Sequence, residues 1–190
     1  MEYSVEKYLL DVSRKSIMAV LNGRDLEDIA LRSEPPEEAL KERASFVTLK
    51  KNGELRGCIG SLEAYRPLYK DVIYNSVNSA FKDPRFDPVT VTEMDSITIE
   101  ISALSERKEV HYNDYEELKK KIEPGRHGVF LTYSIHSSTF LPQVWEQLPE
   151  PDDFFNHLCM KAGLPPEFLK KNKVKIETYT VEKFEEGKSR

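Results

Sequence analysis

The sequence predicts an α+β fold in which a mostly antiparallel sheet is flanked by helices. Helix-periodic segments and alternating segments both occur, but not in the regular strand–helix–strand order of a parallel sheet. Residues 96–104 alternate most cleanly, with Ile99 and Ile101 on one side and Glu100 on the other. A chain of 190 residues can bury a sizeable core, so we expect one domain over residues 1–190.

The first helix is predicted over residues 4–21, where apolar side chains recur at helical spacing. Ser4 is placed to cap its start, and Asn22-Gly23 is placed to end it. The polar stretch at residues 32–38 contains two adjacent prolines, which oppose regular backbone pairing. We therefore expect a surface loop there.

A β-hairpin is predicted over residues 46–59. Residues that favour strands flank Asn52-Gly53, a pair that is typical of a tight hairpin turn. Pro67 then begins a helix, which ends at the Asp83-Pro84 step because the residue before a proline avoids helical geometry.

The second half of the chain is predicted to contain shorter elements of both kinds. They are a helix at 113–122, strands at 129–133 and 139–141 around a turn at 134–138, helices at 153–162 and 165–171, and a terminal strand at 174–181. A short helix that starts at Pro142 would present Gln143 at a cleft and direct Trp145 into the core.

Composition argues against several classes of protein. The net charge of −5 gives no overall positive field to attract nucleic acid or anionic lipid. The longest apolar run, residues 17–21, is too short to cross a bilayer, so we expect no membrane association. Two cysteines are too few for a disulfide scaffold, which favours a reducing, cytoplasmic location. No nucleotide-binding or metal-ligand motif occurs, and we expect no cofactor.

The segment Leu55–Gly60, at the end of the second hairpin strand, is the most informative candidate site. Side chains two apart on a strand share a face, so Arg56 and Cys58 are expected together, and a cation beside a thiol lowers its pKa. Gly57 and Gly60 remove side-chain bulk, which would let a ligand approach the backbone. The alternative is an unreactive, buried Cys58 in a strand whose glycines serve packing.

Seven segments spread along the chain carry a family resemblance. They are residues 45–49, 55–60, 81–86, 99–102, 125–129, 140–146 and 158–164. The most specific is the hexapeptide Leu-Arg-Gly-Cys-Ile-Gly at 55–60. Over nearly the whole chain, the sequence resembles the AMMECR-type domain, a family named after a protein encoded in the chromosomal region of the AMME contiguous-gene syndrome.

The resemblance implies an α+β fold with a larger lobe and a smaller lobe, the smaller within about residues 110–150. Family members occur beside, or fused to, Memo-type proteins and radical SAM enzymes. The resemblance therefore implies a Memo-type or radical SAM protein as partner, in a shared redox or metal-linked process. It implies no particular reaction.

Glu100 and His127 are candidate acid/base groups. If its strand lies near Leu55–Gly60, Glu100 would pair with Arg56 or act as an acid/base beside Cys58. A salt-bridged structural role is the alternative. His127 lies in a glycine-flanked turn and is the histidine to test as a base for Cys58. The four histidines show no metal-ligand spacing, so no metal site is expected.

Arg85 and Gln143 are candidate ligand-binding residues. The planar guanidinium of Arg85 suits a carboxylate or phosphate, although an arginine in such a turn commonly bonds neighbouring carbonyls instead. Two functional hypotheses follow. The first is an enzyme that uses Cys58 as its nucleophile. The second is a site, centred on Leu55–Gly60, that binds a small ligand or a partner protein without chemistry.

Overall fold

The computed structural model of the protein describes residues 1–26 and 34–187. The predicted loop at residues 32–38 lies partly outside this range. The chain divides into two compact units, Met1–Leu104 with Glu182–Arg190 and Ser105–Val181. Each unit combines helices with its own four-stranded sheet, and neighbouring strands pair mostly antiparallel, which confirms the predicted α+β class.

The secondary-structure elements are numbered in chain order. The helices of the described residues are α1 (Tyr3–Leu21), α2 (Leu68–Phe81), α3 (Tyr115–Lys121), α4 (Pro151–Lys161) and α5 (Phe168–Lys171). The strands are β1 (Ser45–Lys51), β2 (Glu54–Gly60), β3 (Ile97–Leu104), β4 (Lys108–Glu109), β5 (Gly128–Tyr133), β6 (His136–Phe140), β7 (Lys175–Tyr179) and β8 (Val181–Glu185). None of these helices is both long enough and apolar enough to cross a membrane.

The sheet of the larger unit has the order β2-β1-β3-β8, and β1 is antiparallel to both of its neighbours. The predicted hairpin is confirmed. Asn52 and Gly53 both have positive φ, as a two-residue turn that matches the strand twist requires. A bulge beside Lys50 places Leu55 opposite that residue, so Arg56 is the extra residue of β2.

The core of the larger unit lies between one face of this sheet and the two long helices. Ile99 and Ile101 are fully buried there, as their alternation predicts. Helix α1 ends at Asn22-Gly23 as expected, where Gly23 has positive φ. The prediction that Ser4 caps α1 is wrong. The helix already begins at Tyr3 and has no side-chain cap.

The smaller unit has a sheet of order β4-β7-β5-β6 and an aromatic core. Trp145 is buried as predicted. Its ring stacks on Phe154 with 3.6 Å between centroids, and its Nε1–H donates to the carbonyl of His127. The second hairpin turn is shorter than residues 134–138, because β6 already begins at His136.

The terminal strand predicted at residues 174–181 is two strands. Its first part, β7, pairs with β5 in the smaller unit, and β8 joins the sheet of the larger unit. The break comes at Thr180, whose N–H donates to Ser105 Oγ and whose carbonyl accepts from the Ser105 N–H. The alternation of apolar and polar residues continues through Thr180, so the sequence pattern alone does not show that one strand ends there and another begins.

Arg43 joins Leu104 and Glu182, the residues at which the chain leaves the larger unit and returns to it. We expect Arg43→Gln to lower the free energy of unfolding. Its side chain is 10% exposed, and it donates to the carbonyl of Leu104 and to Glu182, both at 2.8 Å. Because Glu182 is 30% exposed, the loss should be smaller than for a fully buried pair, about 2 kcal/mol. Urea unfolding followed by circular dichroism measures the loss.

Arg126→Gln is the matched control for this prediction. Arg126 also pairs with a glutamate at 2.8 Å, but both side chains are exposed. Exposed pairs of this kind contribute little, so we expect no measurable change. Equal unfolding free energies for the two variants would contradict the assigned role of Arg43.

Candidate functional site

The candidate motif forms β2, the edge strand of the larger sheet, and its backbone is held by side chains from the end of α2 and the loop that follows. The Cys58 N–H donates to Asp83 Oδ2 at 2.8 Å, and the Cys58 carbonyl accepts from Arg85 Nη2 at 3.3 Å. Ser79 Oγ accepts from the Ile59 N–H and donates to the carbonyl of Val47. The two bonds to Cys58 satisfy backbone groups that an edge strand otherwise leaves unpaired, and the Ser79 hydroxyl bridges β2 to β1.

Asp83 is the centre of this clamp, and sequence reasoning assigned it only to the end of a helix. Its side chain is almost fully buried and also accepts from the Arg85 N–H, Nε and Nη2. The hydrogen bond from Arg85 is the main cause that holds the pKa of Asp83 well below its ordinary value, against the opposing effect of burial. Asp83 is therefore an ionised acceptor that fixes both Cys58 and Arg85.

The two glycines of the motif are explained by packing. A Cβ at Gly57 would lie 2.2 Å from the backbone oxygen of Ser79, and a Cβ at Gly60 would lie 2.2 Å from the ring of Phe46. Protein atoms occupy the space that a side chain would need, so these positions require glycine whether or not a ligand binds. Ligand contact by Gly57 and Gly60 stays a prediction.

Arg56 is held by a carboxylate rather than by the thiol of Cys58. Its Nε and Nη2 donate to the two oxygens of Glu93, and Nη2 also donates to the carbonyl of Asp87. The hydrogen bond from Arg56 is the main cause that lowers the pKa of Glu93 to about 2, with a second contribution from Lys51. Among the described residues, buried Arg56 Nη1 has no hydrogen-bond partner.

Cys58 is half-buried, and Thr48 Oγ1 donates to its Sγ at 3.2 Å. Thr48 lies opposite Cys58 on one neighbouring strand and opposite Glu100 on the other, so the three residues form a row across the sheet. The second thiol, Cys159, is 1% exposed, and burial raises its pKa. Cys58 is therefore the more accessible thiol.

Glu100 is engaged on the same face by two cations other than Arg56. Lys50 and Lys183 lie 2.7 Å and 2.9 Å from its two carboxylate oxygens, and Glu100 itself is 6% exposed. The predicted pairing with Arg56 is wrong, because Glu93 reaches that guanidinium instead. The geometry fits the salt-bridged alternative for Glu100, and an acid/base role stays a prediction.

Arg85 is the exposed cation of the site. Its side chain is 53% exposed, and its Nη1 has no hydrogen-bond partner among the described residues. The Arg85 and Arg56 guanidinium carbons lie 5.6 Å and 5.7 Å from the centre of the Phe86 ring. The pKa of Arg85 is raised, mainly by its hydrogen bond to Asp83 and less by the charges of Asp83 and Cys58.

His127 and Gln143 belong to the smaller unit. His127 Nδ1 accepts from the Glu123 N–H, and burial is the main cause that lowers the pKa of this histidine. Gln143 is exposed in the 3₁₀ turn Pro142–Glu146. All four histidines of the chain lie between residues 105 and 181, so the larger unit contains none. The predicted roles of His127 and Gln143 stay predictions.

The fold and the site define an α+β protein with two sheets, in which one edge strand is clamped by an aspartate and an arginine. The AMMECR1 family model matches residues 10–184, and the chain belongs to this family, as the resemblance indicated.

Archaeal relatives align over most of the chain. Protein MK0488 of Methanopyrus kandleri is 36% identical over 190 residues, which cover 95% of this chain and 87% of that protein. Protein MJ0810 of Methanocaldococcus jannaschii is 39% identical over 158 residues, which cover 82% and 79%. The crystal structure of PH0010 from Pyrococcus horikoshii aligns with a TM-score of 0.77 at 31% identity, over 98% of this chain and 94% of that one.

Proposed function

We propose that the larger unit binds a carboxylate or phosphate group of a small ligand or partner protein at the surface formed by Arg56, Cys58, Arg85 and Phe86, here called the Arg85 surface. The observation that carries this proposal is the state of Arg85. Asp83 fixes its guanidinium, yet half of the side chain is exposed and Nη1 has no partner among the described residues. A guanidinium held in one orientation loses little entropy when it binds an oxyanion.

Binding is favoured over nucleophilic catalysis because none of the described residues of the larger unit is placed as a free base beside Cys58. A cysteine nucleophile is commonly activated by a nearby histidine, and this unit contains no histidine. Asp83, which accepts from the Cys58 N–H, is bound by Arg85. Glu100 is paired with two lysines, and Thr48 lies between it and Cys58. The site therefore offers hydrogen-bond donors to a ligand but, among its described residues, no free base to take the proton of the Cys58 thiol.

Alkylation of Cys58 by reagents of different charge tests the proposal. Iodoacetate carries a carboxylate and iodoacetamide does not, so their rate ratio at Cys58 reports attraction of an anion by Arg85. Removing a charge a few ångströms from the reaction changes the local energy by about 1 kcal/mol, so we expect Arg85→Gln to lower the ratio about fivefold. Peptide mass spectrometry resolves Cys58 from the buried Cys159.

Lys82→Gln is the matched control, because Lys82 is an exposed cation three positions earlier and loses the same charge. Its ratio should stay close to that of the unmodified protein. Inorganic phosphate, compared with chloride at equal ionic strength, should slow the iodoacetate reaction in the unmodified protein but not in Arg85→Gln. An unchanged ratio in Arg85→Gln, or an equal decrease in Lys82→Gln, would refute the proposal.

The nucleophile alternative is favoured by one observation, the hydrogen bond that Thr48 Oγ1 donates to the Cys58 sulfur. It predicts fast alkylation of Cys58 by neutral iodoacetamide at pH 7, and a slower reaction in Thr48→Val. Cys58→Ser should retain phosphate binding, detected by amide chemical shifts, if the site only binds. An iodoacetamide rate equal to that of an unstructured thiol would remove the alternative.

The remaining expectations belong to the same proposal. The family association makes a Memo-type or radical SAM protein the first partner to test at the Arg85 surface. The net charge of −5 argues against nucleic acid as the ligand. Both cysteines are free thiols, which supports a reducing, cytoplasmic location.

A further inference from the structure

A cavity of about 410 Å³ lies within the smaller unit, between residues 109–113, the last turns of α3 and residues 173–175. Its volume is in the range of small-molecule sites, roughly 300–1,000 Å³. The three wall segments come from different parts of the unit. A binding site requires that these wall segments are held together and that their charges suit a ligand.

Hydrogen bonds tie the walls of this cavity together. The Tyr112 hydroxyl donates to the carbonyl of Val174 at 2.6 Å and accepts from its N–H at 3.1 Å. Lys121 Nζ donates to the carbonyl of His111 at 2.6 Å, and Glu117 accepts from both the N–H and the side-chain amide of Asn113. The cavity is therefore formed before any ligand arrives, which lowers the cost of binding.

Three lysines and two glutamates line the cavity, which leaves an excess of one cation. Glu117 and Lys121 are 2.7 Å apart and neutralise one another, and the hydrogen bond from Lys121 is the main cause that lowers the pKa of Glu117 to about 2. Among the described residues, Lys173 has no ion-pair partner, and the ammonium group of Lys175 pairs with Glu177 at 3.2 Å. Glu109 is the one remaining acidic residue of the lining.

The two lysines owe their positions to the alternation of the chain. Lys173 and Lys175 are exposed and alternate with Val174 and Ile176, which are buried in the core of the unit. Both ammonium groups therefore belong to the same wall of the cavity. Lysine binds phosphate as a point charge, and a phosphate group carries about two negative charges at neutral pH.

We propose that this cavity, here called the Lys173 cavity, binds a small molecule through its phosphate group. Lys173 and Lys175 bind the phosphate oxygens, and Tyr112 and Val174 form the floor. The site is separate from the Arg85 surface and does not depend on it. Its size suits a phosphorylated metabolite, and the two exposed lysines of one wall supply the positive charge that such a ligand needs.

Titration of the full ¹⁵N-labelled chain with inorganic pyrophosphate, at constant ionic strength set with NaCl, tests the proposal. We expect saturable amide shifts at residues 111–113 and 173–175. The double variant Lys173→Gln/Lys175→Gln should raise Kd at least fivefold. Its circular dichroism should match that of the unmodified protein, because both side chains are exposed.

The matched control is Lys120→Gln/Lys171→Gln, which removes two exposed lysines of the same unit that do not line the cavity. Its Kd, and that of Arg85→Gln, should stay within twofold of the unmodified value. Tighter binding of citrate than of pyrophosphate would overturn the assignment to phosphate. Shifts that do not saturate, or an equal loss in the control variant, would show only diffuse attraction to lysines and overturn the site.

Discussion

Gly57→Ala is expected to lower the free energy of unfolding by about 3 kcal/mol, the upper part of the usual range for overpacking. The added Cβ would lie 2.2 Å from the backbone oxygen of Ser79 and 3.2 Å from its carbonyl carbon. Because these are backbone atoms of α2, relief requires that the helix and β2 move apart. That movement also strains the bonds from Cys58 to Asp83 and from Ile59 to Ser79.

Urea unfolding measures this loss, and a second glycine supplies a control with a different neighbour. The three atoms nearest to the added Cβ of Gly60→Ala all belong to the ring of Phe46. In a Phe46→Ala background, the added cost of Gly60→Ala should therefore nearly vanish, whereas the cost of Gly57→Ala should persist. A stable Gly57→Ala protein, or a cost at Gly57 that disappears without the Phe46 ring, would contradict this account of the motif.

Asp83→Asn is expected to cost about 2–4 kcal/mol at neutral pH, since it removes the buried charge that Arg85 and the Cys58 N–H share. The cost should depend on pH. The folded protein holds the pKa of Asp83 below its ordinary value of 3.8, so the ionised carboxylate stabilises the fold at every pH above that value. The stabilisation decreases as pH falls below about 4, where the unfolded chain binds the proton first.

The measurement is the difference in unfolding free energy between the unmodified protein and Asp83→Asn from pH 7 to pH 2.5. The difference should be constant down to about pH 5 and shrink below pH 4. Taking the difference in unfolding free energy between the two proteins cancels the contribution of Glu93, whose pKa is lowered to about 2. Asp87→Asn, an exposed carboxylate four positions later, is the control and should change little. A pH-independent difference for Asp83→Asn would contradict the charged clamp.

Asp83→Asn also links the clamp to the proposed function. Arg85 loses the carboxylate that binds Nε and Nη2 along one edge of its guanidinium, so its position becomes variable. The iodoacetate preference of Cys58 should then decrease even though a negative charge has been removed nearby. A larger preference would indicate that overall charge, rather than the fixed position of Arg85, attracts the anion.

Elements that depend on local signals were predictable. The hairpin follows from Asn52-Gly53 between strand-forming residues, and α2 follows from Pro67 and Asp83-Pro84 at its two ends. The strand β3 was visible because one of its faces is buried and alternation reports burial. Membership of the AMMECR1 family followed from segments that remain contiguous in the chain.

The partners of the site residues were not predictable in the same way. Arg56 pairs with a glutamate 37 positions away, and Glu100 pairs with lysines 50 and 83 positions away. The chain offers many carboxylates and ammonium groups, and their spacing does not show which of them meet. The bulge at Arg56 and the break at Thr180 depend on the strands to which these segments pair.

The sequence by itself determined the α+β class, the motif strand and the importance of Cys58 as one of only two thiols, because these rest on local geometry and composition. Only the tertiary structure decided why the motif has its glycines and how its backbone is held. Because α2 packs across the sheet, its end and the loop that follows bring Ser79, Asp83 and Arg85 to β2. A contact between such distant segments produces no periodic pattern in the sequence.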